Sequence, residues 1–375
     1  MRCCEIVPSL EARHGGPSRS VLALSEALAS LGSQVSLLST QRHPPASPPS
    51  TALEARIFRR DSPQAFCPSA GLRRHLFNHA FDVIHHHSLW LRTLHYAHRR
   101  ARTLRAPLVI SPRGMMSPWA WQHHRARKQL ARRLLHPGAL EGAHGWHATS
   151  PEEADEIRAL GFQQPICVAP NGVSIPSDDE RIASAAHWHD LCPDTAQRPT
   201  ALFYSRLHRK KRVLELIDLW LAQARGDWLL LIVGVPEEYT PAQLIAHAEH
   251  RSGADRVRVF DGTGSPPPYA AASLFILPSH NENFGLVIAE AMAHGLPVLV
   301  TDSTPWSSVN HHQAGWCVPW EQFPSTLTRA LAEPSEQLAQ RGAAAREHVR
   351  QDFPWRKSAA TLLEFYRELH ARAAR

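Results

Sequence analysis

Two glutamates eight residues apart, Glu282 and Glu290, bracket the start of an apolar helical segment in Ser279-His280-Asn281-Glu282-Asn283-Phe284-Gly285-Leu286-Val287-Ile288-Ala289-Glu290. Asn283 or Glu282 can cap that helix, which leaves the N–H groups of Phe284, Gly285 and Leu286 facing an incoming anion. At 3.6 residues per turn an eight-residue step returns to within roughly 80° of its starting direction, so both acids can address one ligand. An acid beside an anion site repels the anion unless it binds something else, and sugar or ribose hydroxyls suit a carboxylate acceptor. The segment therefore reads as a place for a phosphorylated sugar. A capped helix with Glu290 in solvent is the plainer alternative.

Two more clusters fall at predicted strand ends. Gly15-Gly16 lacks side chains that would keep a diphosphate away from the backbone, although a tight turn needs the same pair. Ser205-Arg206-Leu207-His208-Arg209-Lys210-Lys211 places several cations between a strand and a helix, where they suit an anionic leaving group or a solvated basic loop.

The elements that must position these residues follow an α/β alternation. A strand at Cys3 to Val7, a glycine loop, a helix opening near Pro17 and a strand at Gln34 to Thr40 give a βαβ unit. Apolar runs at Asp82 to His86, Leu108 to Ser111 and Trp146 to Ala148 continue it, and Ser150 with Glu153 predicts a capping box. A turn at Pro170-Asn171-Gly172 marks a boundary, followed by a polar, irregular stretch. The alternation restarts at Leu202 to Ser205, then Trp228 to Gly234, Val257 to Phe260, Leu274 to Leu277 and Pro297 to Thr301. Continuous apolar strands imply sheets covered on both faces. The expected organisation is an N-terminal domain over 1–170, a linker region over 171–199, a C-terminal domain over 200–352, and a last helix over 353–375 crossing back to the first domain.

Length and charge agree. The 375 residues, 43% of them apolar, suit two domains. The six cysteines are scattered without disulfide or zinc spacing. Neither a long apolar run nor a secretory signal is evident, so a cytoplasmic location is expected. Residues 1–170 carry 21 Lys and Arg against 11 Asp and Glu, and the remainder 20 against 23, so the front is net +10 and the back net −3. The excess lies mainly in Arg92 to Arg105 and Arg125 to Arg133. It suits an anionic membrane or an acidic acceptor, and equally a charged outer helix face. From Pro118 to Leu135, Trp119, Trp121, Leu130, Leu134 and Leu135 alternate with Arg125, Arg127, Lys128, Arg132 and Arg133, a pattern that fits either a membrane surface or packing on the sheet.

Taken together, these features resemble the retaining glycosyltransferases of family 4, α/β enzymes of the GT-B fold, with two Rossmann-like doubly wound domains facing across a cleft. The resemblance covers nearly the whole chain. It rests on the Gly-Gly loop, Asp82-Val83-Ile84-His85-His86-His87, Ser111-Pro112-Arg113-Gly114-Met115, His147-Ala148-Thr149-Ser150, Pro170-Asn171-Gly172-Val173, Arg206 to Lys211, Glu282 to Glu290 and Thr304-Pro305-Trp306. It implies that Arg206 and Lys211 neutralise the diphosphate of a departing nucleotide. It also places Glu282, Asn283 and the backbone of Phe284, Gly285 and Leu286 at the donor sugar and phosphate, Glu290 at the ribose, and Gly16 at the diphosphate. Three departures stand out. Arg113 occupies the place of a histidine that contacts the donor sugar in many members, Arg212 stands where a glycine is common, and Ser174 replaces a common aspartate. Arginine cannot serve as a general base at neutral pH, so Arg113 is expected to touch a hydroxyl or an acidic acceptor.

Among the 25 histidines, His87 is the one expected to reach the cleft and contact acceptor or sugar. His85-His86-His87 is not expected to hold a metal, because successive strand residues point to alternate faces. The resemblance implies hexosyl transfer from a nucleoside diphosphate sugar to a saccharide or lipid-linked saccharide acceptor in lipopolysaccharide or exopolysaccharide synthesis. No metal, cofactor or nucleic acid is expected to take part. The alternatives are a nucleotide-sugar epimerase of the same fold and a non-catalytic protein that binds membrane surfaces. A dinucleotide dehydrogenase is disfavoured, since the first glycine loop lacks Gly-x-Gly-x-x-Gly spacing.

Overall fold

A computed structural model describes residues 1–11, 16–44, 53–122, 125–223 and 226–373. The chain divides into two compact units, one comprising Met1–Gly172 with Trp355–Arg375 and the other Val173–Pro354.

The first unit is built on seven parallel strands: β1 (Arg2–Val7), β2 (Gln34–Gln41), β3 (Glu54–Arg59), β4 (Val83–His87), β5 (Leu108–Ser111), β6 (Gly145–Ala148) and β7 (Ile166–Val168). Their order is β3-β2-β1-β4-β5-β6-β7, with every neighbouring pair parallel. The order reverses between β1 and β4, where open α/β sheets form their binding crevice. Helix Gly16–Ser30 buries Val21, Leu24 and Leu28. The last helix, Trp355–Ala373, packs Leu362, Leu363, Tyr366 and Leu369 with Cys3, Val83 and Val109 of the sheet. Each buried leucine there contributes on the order of 1.5–3 kcal/mol.

The second unit carries six parallel strands: β8 (Thr200–Tyr204), β9 (Leu229–Gly234), β10 (Val257–Asp261), β11 (Leu274–Leu277), β12 (Val298–Thr301) and β13 (Gly315–Val318). Their order is β10-β9-β8-β11-β12-β13, again with parallel neighbours, and the reversal lies between β8 and β11. Strand β9 is buried throughout, as its unbroken apolar run requires in a sheet covered on both faces.

The polar stretch read as an irregular linker differs from that expectation. Residues 173–199 belong to the second unit and contain the helix Asp178–Leu191, opened by a capping box in which Ser177 and Glu180 bond each other's backbone N–H. Its Trp188 is buried and donates its indole N–H to Pro266 O at 2.8 Å. The weakly amphipathic pattern of Asp178 to Leu191 hid the helix, because only Ser184 and Trp188 of it are buried. Among the described residues no helix is long and apolar enough to cross a membrane.

Candidate functional site

In the second unit, the loops after β8 and β11 converge at the strand-order reversal. Lys211 and Glu282 form an ion pair there, with side chains 8% and 11% exposed. The Ser279 hydroxyl donates to the same Glu282 oxygen at 2.6 Å. Burial pushes the Glu282 carboxyl up, but the charge and hydrogen bond of Lys211 with the Ser279 hydroxyl outweigh it and hold the group below its ordinary value. The loop is wired on both sides. His280 N–H donates to Lys210 O at 2.8 Å, while Thr301 and Ser303 hydroxyls donate to Ser279 O at 2.6 and 2.7 Å. Arg206 lies apart from this pair, giving one guanidinium nitrogen to both Glu237 oxygens at 2.8 and 2.9 Å in half-exposed surroundings.

The helix begins later than its sequence suggests. Gly285, at φ 76° and ψ 57°, is the N-cap of helix Leu286–Ala293, with no side-chain cap, so neither Asn283 nor Glu282 fills that role. The left-handed backbone favours a glycine, and a Cβ there would also meet Ile288 Cδ1 at 2.8 Å. Trp306, fully buried, holds the turn by donating its indole N–H to Phe284 O at 2.5 Å. Glu290 is 8% exposed and accepts the Tyr269 hydroxyl at 2.8 Å, which rules out the solvated-glutamate alternative. Arg212 adopts φ 51°, the region in which glycine is favoured, and its guanidinium lies 4.3 Å from the Trp320 ring centroid.

The first unit assembles a second polar cluster around its own strand-order reversal. Glu5 on β1 is fully buried, and its Oε2 lies 2.6 Å from His87 Nε2 and 3.1 Å from His85 Nδ1. The Tyr366 hydroxyl, from the last helix, donates to Glu5 Oε1 at 3.0 Å and lies 2.6 Å from His85 Nδ1. Burial pushes Glu5 up to about 8 despite the Tyr366 bond and the Arg113 charge, and it holds His85, His87 and His147 well below their ordinary value. His87 is expected from the sequence to reach the cleft and contact acceptor or sugar. It is wholly buried and backs Arg113, whose Nη2 lies 3.0 Å from His87 Nδ1 and whose Nη1 donates to Asn171 Oδ1 at 2.7 Å. Because arginine only donates, His87 Nδ1 is the acceptor and its proton sits on Nε2, toward Glu5.

Strand alternation does send His86 to the other face, where it meets Thr93 Oγ1 at 2.9 Å. It leaves His85 and His87 on one face, joined by His147, with one nitrogen of each within 4.8 Å of the others. His85 Nε2 and His147 Nδ1 are buried without a partner, whereas both His87 nitrogens are engaged. The Ser150–Glu153 motif is realised by half. Ser150 Oγ accepts Glu153 N–H at 3.2 Å, but the Glu153 carboxylate accepts Gly114 N–H at 2.6 Å and Thr149 N–H at 2.8 Å, fixing the loop that carries Arg113.

Gly16 is the first described residue of its helix. Gly15 lies outside the described residues, as do the side chains of Trp119 and Arg125. Sequence reasoning missed Tyr269, Glu237, Glu5 and Tyr366. Only Glu5 left a visible signal, as an acid inside the otherwise apolar run Cys3-Cys4-Glu5-Ile6-Val7.

Two family descriptions match the chain, "Glycosyltransferase Family 4" over residues 14–175 and "Glycosyl transferases group 1" over residues 194–348. A D-inositol 3-phosphate glycosyltransferase of Saccharomonospora viridis is 40% identical over 28% of this chain and 24% of its own length. The enzyme of the same name from Xylanimonas cellulosilytica is 26% identical over 94% of this chain and 91% of its own. Matches to the first curated relatives span between about a quarter and a half of those proteins' length. Among solved structures, Anabaena HepE in complex with UDP and glucose superposes with a TM-score of 0.75 at 18% identity, covering 98% of this chain and 100% of that one. That last likeness is one of fold.

Proposed function

The chain belongs to glycosyltransferase family 4, and from that premise we propose that it transfers a hexosyl unit from a nucleoside diphosphate sugar to a saccharide acceptor with retention of anomeric configuration. The observation that carries this reading is the Lys211–Glu282 pair, set at the strand-order reversal of the second sheet beside a glycine-capped helix start.

In this reading Lys211 turns from Glu282 toward the diphosphate as negative charge develops there, and Arg206 adds a second cation. Preorganised cations of this kind stabilise a leaving phosphate more in a dry site than in water. Glu282 accepts hydroxyl groups of the donor sugar, next to Asn283 and the backbone of Phe284, Gly285 and Leu286. Glu290, aimed by Tyr269, accepts the ribose hydroxyls. The bond between the anomeric carbon and the phosphate oxygen breaks with its electron pair going to the phosphate. The acceptor oxygen bonds the same face of that carbon, and its proton passes to the departing phosphate. No protein nucleophile, metal or other cofactor enters this scheme.

The donor is best supported as a UDP-sugar, given the UDP and glucose held by the Anabaena relative in fold. The acceptor is assigned to a growing surface glycan such as a lipopolysaccharide core or a lipid-linked exopolysaccharide unit, reached at the inner face of the cytoplasmic membrane. The basic first 170 residues support this, as do Leu130 and Leu134, 57% and 62% exposed on the arginine-rich helix Arg125–Leu134. Vesicle binding that weakens as salt rises is the expected signature of such contact. The decisive test is a thermal-shift panel of UDP-, GDP-, ADP- and dTDP-sugars, since a ligand selective for the native state raises its apparent stability. One clear winner, followed by nucleoside diphosphate release that requires a saccharide, is expected. A flat panel overturns the proposal.

A further inference from the structure

Arg113 is a cation held in place by neutral partners. It follows β5, at the carboxyl end of the first sheet, where ligands of open α/β sheets bind. Its two terminal nitrogens are oriented by Asn171 Oδ1 and His87 Nδ1, an amide and an imidazole that burial keeps uncharged. Its Nε–H is buried without a partner, and so is the hydroxyl of Ser111 at the same strand end. Among the described residues no carboxylate hydrogen-bonds the guanidinium. The two nearby acids face other groups. Glu153 accepts Gly114 N–H, Thr149 N–H and the Thr149 hydroxyl. Glu5 is reached only through His87.

Glu153 and Glu5 act on Arg113 through their charge without a hydrogen bond to it; a buried cation that no carboxylate contacts is costly, and an orphaned buried donor costs about 1–3 kcal/mol. Arg113 itself, lowered to about 10 chiefly by burial, stays charged at neutral pH. The residue as a whole retains some solvent access, so its remaining N–H groups can meet a ligand. A guanidinium offers five donors in a planar fork that matches carboxylate and phosphate oxygens.

We infer that the acceptor carries an anionic group, a sugar carboxylate or phosphate, which docks on Arg113 at the carboxyl end of β5. This rests on the transferase reading for the word acceptor, while the anion site itself stands on the first unit alone. His87 and Asn171 are positioning residues in this arrangement. They hold the fork flat and leave its charge for the ligand.

The test is calorimetric titration of the whole protein with glucose, glucuronate and glucose 6-phosphate. At least one anion is expected to bind ten times more tightly than glucose, and the better of the two separates carboxylate from phosphate recognition. The preference should shrink as NaCl rises, disappear in Arg113→Gln, and survive in part in Arg113→Lys. A merely structural arginine would not give rescue by lysine of an anion preference. Unfolding midpoints of both variants show that they fold. Equal affinity for glucose and both anions, absence of binding by all three, or an anion preference unchanged in Arg113→Gln overturns the inference. Donor turnover in water, measured separately with the sugar nucleotide selected by thermal shift, tests the transferase reading independently of this result.

Discussion

Lys211 and Glu282 are joined across the two strands, β8 and β11, between which the order of the second sheet reverses. The pair links the basic loop to the acidic loop before any substrate arrives, so Lys211 keeps Glu282 ionised and each side chain holds the other in place. Truncating one strands the other, and a lone buried charge is costed at about 3–5 kcal/mol.

That relationship predicts a split between stability and activity. Lys211→Met and Glu282→Gln each lower the unfolding midpoint, while the double variant recovers much of the loss because neither charge is left alone. All three are expected to lose on the order of 100-fold or more in kcat/KM, the scale seen when a preorganised electrostatic group is removed. Wild-type turnover in both single variants refutes the assignment.

Tyr269 predicts a subtler effect. Its hydroxyl donates to Glu290 at 2.8 Å, so Tyr269→Phe removes a bond worth about 1 kcal/mol net. Donor KM should rise several-fold with kcat little changed, whereas a purely packing role would leave donor KM untouched. Steady-state kinetics with varied donor distinguishes the two.

The buried cluster of the first unit sets a pH optimum for stability. His86, lowered to about 3, and His85, His87 and His147, held well below their ordinary value, stay neutral in the fold mainly through burial. An unfolded imidazole titrates near 6.5, so their contribution is complete above about pH 6.5 and is lost as pH falls. Glu5, raised to about 8, acts in the opposite sense. Its contribution is complete below the unfolded carboxyl value of about 4.3 and is lost as pH rises through about 8. Near pH 5.5 these imidazoles outnumber the one carboxyl, so the unfolded state binds more protons and stability falls as pH drops. Urea midpoints should therefore peak near neutrality, fall steeply below pH 6 and decline gently up to pH 8. Glu5→Gln should remove the alkaline decline.

Arg212 predicts a near cancellation. Glycine would relieve the left-handed backbone at φ 51°, about 1 kcal/mol, and would forfeit the stack on Trp320, about 0.5–1 kcal/mol at an exposed site. Arg212→Gly should sit within about 1 kcal/mol of the parent, and Arg212→Val, β-branched at positive φ, should be clearly less stable by denaturant melts.

The sequence made the parallel strands legible because their apolar runs are unbroken, as in Leu229 to Val233. It made Lys211, Glu282 and Glu290 legible because they follow such strands at fixed offsets. The partners that aim them were not. Tyr269 lies 21 residues before Glu290, and nothing in the stretch between announces the contact. Gly285 was read as part of an anion cradle rather than as the cap, because a left-handed φ has no signature beyond the glycine itself. His87 reads as a strand-end residue that can reach the cleft, and only the fold reveals Glu5 and Arg113 as its partners. Helix Asp178–Leu191 was missed since its buried face is confined to Ser184 and Trp188, too little for a periodic pattern.

The bond between Glu5 and Tyr366 spans 361 positions of sequence, and the helix that supplies it completes the apolar core under β1, β4 and β5. A ribosome moving from the amino end has made all seven strands of the first sheet long before Leu362, Tyr366 and Leu369 emerge. The nascent first unit must therefore wait, with that flank of its sheet covered only in part by helix Gly16–Ser30, while the whole second unit is synthesised and free to fold ahead of it. In this chain the part translated first is the part finished last.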